Sequence, residues 1–135
     1  MTPRLQDRHA LLTGAGGGIG LAVLEAYLHE GARCSVVDLS AQASAGVQAL
    51  AKQFPERLHY IGADITRSSE IARLVDSARA AFGSIEVLYN NAAVFDMAPR
   101  AYHHRDARIN GGSNGFCIER RTAHMAGEGA RIRSK

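Results

Sequence analysis

An α/β fold, a doubly wound parallel sheet, is the class this sequence predicts. Three observations predict it. Short apolar runs alternate with stretches of helical periodicity from His9 to Asn91. The connections between them are short. Five glycines crowd into the seven positions Gly14 to Gly20, where the first apolar run gives way to the first helical stretch.

The elements follow in order. "HALLTG" is a short apolar run ending in glycine and reads as a buried strand. "GIGLAVLEAYLHEG", from Gly18, is apolar on most faces and stops at Gly31, which suits a helix packed on a sheet. "ARCSVVD" is the second strand, centred on Val36 and Val37. Ser40 is the expected cap of the next helix, whose Ala43, Val47, Leu50 and Ala51 share a face. "LHYIGAD" is a third strand. Ser68 opens a helix with Ile71, Leu74, Val75, Ala78 and Phe82 at helical spacing, and Gly83 ends it. "IEVLYNN" is a fourth strand.

The pattern then breaks. No leucine follows Leu88 and no valine follows Val94; Ile109, Ile118 and Ile132 are the only aliphatic β-branched residues after Phe95. Arginine, histidine and glycine stand where a core needs apolar side chains. The expectation is a half-domain over residues 1–99, of four strands and three helices, and an irregular, poorly packed tail over 100–135. Charge divides the same way. Residues 1–99 carry 8 Lys+Arg and 10 Asp+Glu, and residues 100–135 carry 8 and 3, so only the tail is basic. No aromatic platform accompanies the tail's arginines, so a solvated tail is favoured over nucleic-acid binding. The adjacent His103 and His104 do not converge on one ion in regular structure, and no metal site is expected. Cys34 and Cys117 lack metal-ligand spacing and read as reduced thiols of a cytoplasmic protein. No apolar stretch has the length of a membrane span, and the N-terminus is a poor signal peptide.

The glycines lie between a buried strand and a helix. A helix N-terminus presents unpaired N–H groups and the positive end of a dipole, which attract phosphate. Glycine lets the backbone turn tightly and lets a pyrophosphate approach. The common G-x-G-x-x-G spacing fails from Gly14, where Ile19 takes the third place, and from Gly16, where Leu21 does. Thr13-Gly14-x-x-x-Gly18-x-Gly20 is what fits. Asp38 closes the second strand at the distance where an acid accepts from ribose hydroxyls and repels a 2′-phosphate, so NAD is expected over NADP. The structural alternatives are a tight turn without a ligand, and Asp38 as a turn cap.

With these residues the chain resembles the short-chain dehydrogenase/reductase family over roughly Arg8 to Pro99. Thr13-Gly14-x-x-x-Gly18-Ile19-Gly20 resembles its glycine motif, Asp64-Ile65 the pair beside the adenine, and Asn90-Asn91-Ala92-Ala93 its N-N-A-G motif, with Ala93 for the usual glycine. "NNAAVFDMAP" is similar to the polyol dehydrogenase subgroup, sorbitol dehydrogenase among it. The resemblance implies a Rossmann-type fold and hydride transfer from a polyol to NAD. It also implies a catalytic serine, an asparagine in a water relay, and a tyrosine and lysine four apart on a helix. Four residues after Tyr27, Tyr60, Tyr89 and Tyr102 stand Gly31, Asp64, Ala93 and Asp106, and the only lysines are Lys52 and Lys135. Ser113 and Ser134 lack supporting elements, and Asn110 only faintly resembles the relay asparagine. No catalytic residue is therefore assigned. The chain is expected to be truncated or frame-disrupted after about Pro99 and inactive alone. The alternative is a non-enzymatic nucleotide-binding or partner-interaction module, with self-association through the sheet edge left open beside the first and fourth strands.

Overall fold

The computed structural model describes residues 2–92. Four strands and three helices alternate: β1 (His9–Thr13), α1 (Gly18–His29), β2 (Arg33–Asp38), α2 (Ala45–Gln53), β3 (Leu58–Gly62), α3 (Ser68–Phe82) and β4 (Val87–Asn90). The strands form one parallel sheet in the order β3-β2-β1-β4. The chain works outward from β1 to β3, then crosses to the other side of β1 for β4.

The strand sequences explain why the sheet is covered on both faces. Alternate side chains point to opposite faces, and both sets are largely apolar, with His9, Thr13 and Ser35 the buried polar exceptions. Ala10, Leu12, Cys34 and Val36 join Leu24 and Leu28 of α1 and Val47 and Leu50 of α2 in one core. Leu11, Val37 and Ile61 join Ile71, Leu74, Val75 and Ala78 of α3 in the other. Helix α1 is less wrapped than its composition implies: Gly20, Leu24 and Leu28 are its buried residues, one stripe facing the sheet. At the end of α1, Gly31 takes a left-handed φ of 86°. Gly83 closes α3 with its N–H on the Arg79 carbonyl.

One element boundary departs from the sequence expectation. Ser44, not Ser40, caps α2, its Oγ accepting from the Val47 N–H. Ala43 lies before the helix, and its carbonyl accepts from Gln48 Nε2. Ser40 is engaged in the loop, where its carbonyl accepts from the Tyr60 hydroxyl at 2.6 Å. Both serines have the chemistry of a cap; the path of the chain over the end of the sheet decides between them. The division at residue 99 and the reading of 100–135 lie outside the described residues, as do Ala93, His103-His104 and Asn110. Among the described residues, no helix is long and apolar enough to cross a membrane.

Candidate dinucleotide-binding site

Strand order positions the site. The topology reverses between β1 and β4, and ligands of open parallel sheets bind at such a switch point, outside the carboxyl ends of the strands. The loop after β1 carries the glycines; the loop after β4 carries Asn91 and Ala92. Three contacts join them. The buried Thr13 Oγ1 accepts from the N–H groups of Asn91 at 3.1 Å and Ala92 at 3.2 Å. Asn91 Nδ2 donates to the Gly14 carbonyl at 3.1 Å. Thr13 thus acts as a strut between loops that are distant in sequence.

Gly14 has φ 67°, and a Cβ there would stand 2.7 Å from Ala92 Cα. No other residue fits without moving the second loop. A Cβ on Gly20 would meet the Gly14 carbonyl at 2.6 Å, so the start of α1 also sits tight against the turn. Gly18 is different. Its φ is 56°, but a Cβ on it, or on Gly17, would meet nothing within 4 Å. Their missing side chains leave open space where α1 begins, and no side chain caps that helix. The arrangement fits a phosphate-bearing group: a helix start with free room in front of it.

Asp38 reaches back to this loop. Its Oδ2 accepts from the Gly16 N–H at 3.0 Å, and its Oδ1 from the Leu39 N–H at 2.8 Å. Backbone N–H groups thus engage both carboxylate oxygens of Asp38 and hold the carboxylate at the mouth of the loop. Asp64 Oδ1 accepts from the N–H and hydroxyl of Thr66, and Oδ2 pairs with Arg67 at 3.8 Å. It organises the entry to α3 from the carboxyl end of β3. The Ile65 side chain is packed in the α3-side core. Asn90 is exposed at the end of β4, in register with Thr13.

Ile19, 74% exposed, and Leu39, 69% exposed, stand at the same end of the sheet. They are the large apolar side chains left in solvent among the described residues, and each follows a strand that ends at the site. Ile19 was expected here. Asn91 stands in the motif without a role of its own, and Leu39, Gly16 and Ser44 carry no assignment from the sequence. Asn91 had a signal, its place beside Asn90 in the motif; Leu39 had one in an apolar residue directly after Asp38. Ser44 had a signal as a cap three residues before Val47, but its bond to Gly16, like that of Gly16 to Asp38, is a long-range contact with none.

A family model described as short chain dehydrogenase matches residues 8–111. Among similar curated proteins are a probable galactose dehydrogenase of Rhizobium meliloti and a sorbitol dehydrogenase of Cereibacter sphaeroides. The first is 41% identical over 92 residues, covering 67% of this chain and 36% of its own. The second is 41% identical over 96 residues, covering 71% and 36%. This chain thus spans about a third of the length of the curated relatives it matches. Two crystal structures from Brucella melitensis share the fold. A short-chain dehydrogenase/reductase described as a glucose/ribitol dehydrogenase superposes with TM-score 0.63 at 33% identity, over 73% of this chain and 41% of that one. A 3-ketoacyl-(acyl-carrier-protein) reductase complexed with NADH superposes with TM-score 0.59 at 29% identity, over 66% and 35%. The parallel sheet with its covering helices thus has its counterpart in solved short-chain dehydrogenase/reductase structures, and the match over residues 8–111 shows that the chain belongs to the short-chain dehydrogenase/reductase family.

Proposed function

We propose that this chain is the cofactor-binding part of an NAD-dependent short-chain oxidoreductase, with residues 1–99 as its dinucleotide-binding half and 100–135 as a basic tail. Open space at Gly17 and Gly18, in front of an uncapped helix at the switch point, is the observation that carries this reading. The related reductase crystallised with NADH supports a nicotinamide dinucleotide as the group held. When bound, that group supplies hydride transfer. Thr13, Gly14, Gly20 and Ala92 shape the turn; Gly18 and Ile19 meet the phosphates; Asp64, Ile65 and Leu39 border the adenine; Asn90 borders the nicotinamide side. Asp38 selects NAD, because its anchored carboxylate accepts from ribose hydroxyls and repels a 2′-phosphate. Calorimetry on the full chain is expected to give tighter binding of NADH than of NADPH. Asp38→Ala should narrow the difference by about 1–3 kcal/mol. Equal affinity for the two in the unaltered protein would overturn the assignment of Asp38.

Relatives named for sorbitol and galactose support a polyol or sugar as the substrate class of the whole enzyme. With no Tyr-x-x-x-Lys in its 135 residues, the chain alone is expected to leave sorbitol unoxidised. NAD-linked oxidation above background, abolished by Gly18→Asp, would refute that. A second reading, a non-enzymatic nucleotide-binding or partner-binding module, draws on β4, which pairs with β1 on one side only among the described residues. Self-association through that edge would appear as concentration-dependent sedimentation. The reading assigns the protein to the cytoplasm, with Cys34 a buried thiol whose pKa burial pushes up to about 12, far from reactive.

A further inference from the structure

Gly16 is gripped at both ends of its own backbone. Its N–H donates to Asp38 Oδ2 at 3.0 Å, and its carbonyl accepts from the Ser44 hydroxyl at 2.6 Å. The same Ser44 oxygen accepts from the Val47 N–H at 3.3 Å, as the cap of α2. One hydroxyl therefore uses its proton on the glycine turn and a lone pair on a helix 28 residues further along the chain. The spacing at Gly16 leaves no slack. A Cβ there would stand 2.3 Å from Asp38 Oδ2, so the carboxylate occupies the volume a side chain would fill.

We infer that Ser44 is a positioning residue for cofactor discrimination, acting through Gly16 on Asp38. The steps are mechanical. Ser44 ties the Gly16 carbonyl to the first turn of α2, which is itself packed on the sheet through Val47 and Leu50. Holding the carbonyl fixes the orientation of the Gly16 residue and so of its N–H. That N–H, with the N–H of Leu39, holds the two carboxylate oxygens of Asp38. A carboxylate held at two oxygens keeps its charge in one place, and a fixed charge discriminates against a 2′-phosphate better than one that can swing away. Without the Ser44 hydroxyl the turn keeps its glycines and its strut to Asn91, but the anchor of the Asp38 carboxylate is loosened.

This inference rests on the dinucleotide-binding reading, and its test separates the two. Ser44→Gly removes the hydroxyl while glycine remains an acceptable helix N-cap. Ser44→Thr keeps a hydroxyl in both roles. In the full chain, Ser44→Gly is expected to speed hydrogen exchange of the Gly16 amide and to reduce the NADH-to-NADPH affinity ratio about fivefold, the worth of one ordinary hydrogen bond. Ser44→Thr should restore both. An unchanged Gly16 amide, an unchanged affinity ratio with both dinucleotides weakened alike, or a threonine variant that behaves like the glycine one would each overturn the inference; Ser44 would then be a helix cap and nothing more. If the unaltered chain bound neither dinucleotide, the cofactor reading would fall, and exchange at Gly16 would by itself decide whether Ser44 holds the turn.

Discussion

At the scale of residues, the glycines of the turn divide by what surrounds them. Gly14 combines a left-handed φ with a Cβ position 2.7 Å from Ala92 Cα. Gly14→Ala is expected to cost about 1–3 kcal/mol in chemical denaturation, since both backbone strain and a clash oppose it. Gly17 has extended backbone and open space, and it is the N-cap of α1. Gly17→Ser should leave stability unchanged or raise it by about 0.5 kcal/mol, because serine is a good cap. It should also weaken NADH binding, because the new side chain enters the proposed phosphate space. Thermal melts alongside NADH titration would check that separation. His9 shows the same economy at the other end of the sheet. Its ring is buried on edge against Phe82. Nδ1 donates to the Gly83 carbonyl at 2.9 Å, so in the neutral ring Nε2 accepts from the Ser35 hydroxyl at 2.8 Å. Burial pushes the His9 pKa below its ordinary 6.5. The unfolded chain therefore binds the proton more readily than the folded one. The contribution of His9 is complete above pH 6.5 and is lost as pH falls from there toward the lowered folded value. Denaturant titrations at pH 7.5 and about pH 5.5 should show this loss, and His9→Gln should flatten it.

At the scale of elements, protection should follow strand position. β1 is flanked by β2 and β4, and β2 by β1 and β3, so their amides are covered on both sides. β3 and β4 each have one neighbour among the described strands. Hydrogen exchange is expected to be slowest at Leu11–Thr13 and Val36–Asp38 and faster in β4. Rapid exchange in β1 equal to that of β4 would contradict the pairing. Among the described residues, α3 is the one helix of the second core, and Leu74, fully buried there, has no second helix beside it to close over a gap. Leu74→Ala should cost about 2–5 kcal/mol, read from the denaturant midpoint. Ser40 and Ser44 teach a related lesson about elements. Capping propensity allows either to start α2. The chain path places Ser44 at the start of the helix, and there its hydroxyl also reaches Gly16, a contact between segments that no local pattern records.

At the scale of the whole molecule, the fold is a layered α/β unit whose two cores lie on opposite faces of one sheet. The candidate site lies at the carboxyl end of that sheet, at the loops that follow its strands. Loops supply the chemistry there, and the strands beneath them supply the rigidity. The buried Thr13 and the half-buried Asp38, at the ends of β1 and β2, are held by hydrogen bonds, so a cofactor would meet a surface that is largely prepared before it arrives.

Alternating apolar strands and helices, with glycine stops at Gly31 and Gly83, were legible in the sequence because periodicity and turn chemistry are local and each short segment carries its own record. The glycine turn and Asp38 were legible for the same reason, as a motif with a fixed spacing along the chain. Tertiary structure alone decided that β4 lies beside β1, that Thr13 bonds to Asn91 and Ala92, and that Ser44 and Asp38 share Gly16 between them. These depend on strand order and on distances between residues far apart in the chain. A hydrogen bond across 28 or 78 positions leaves no periodic trace, because either partner alone is an ordinary serine, threonine or asparagine until the sheet brings the other within reach.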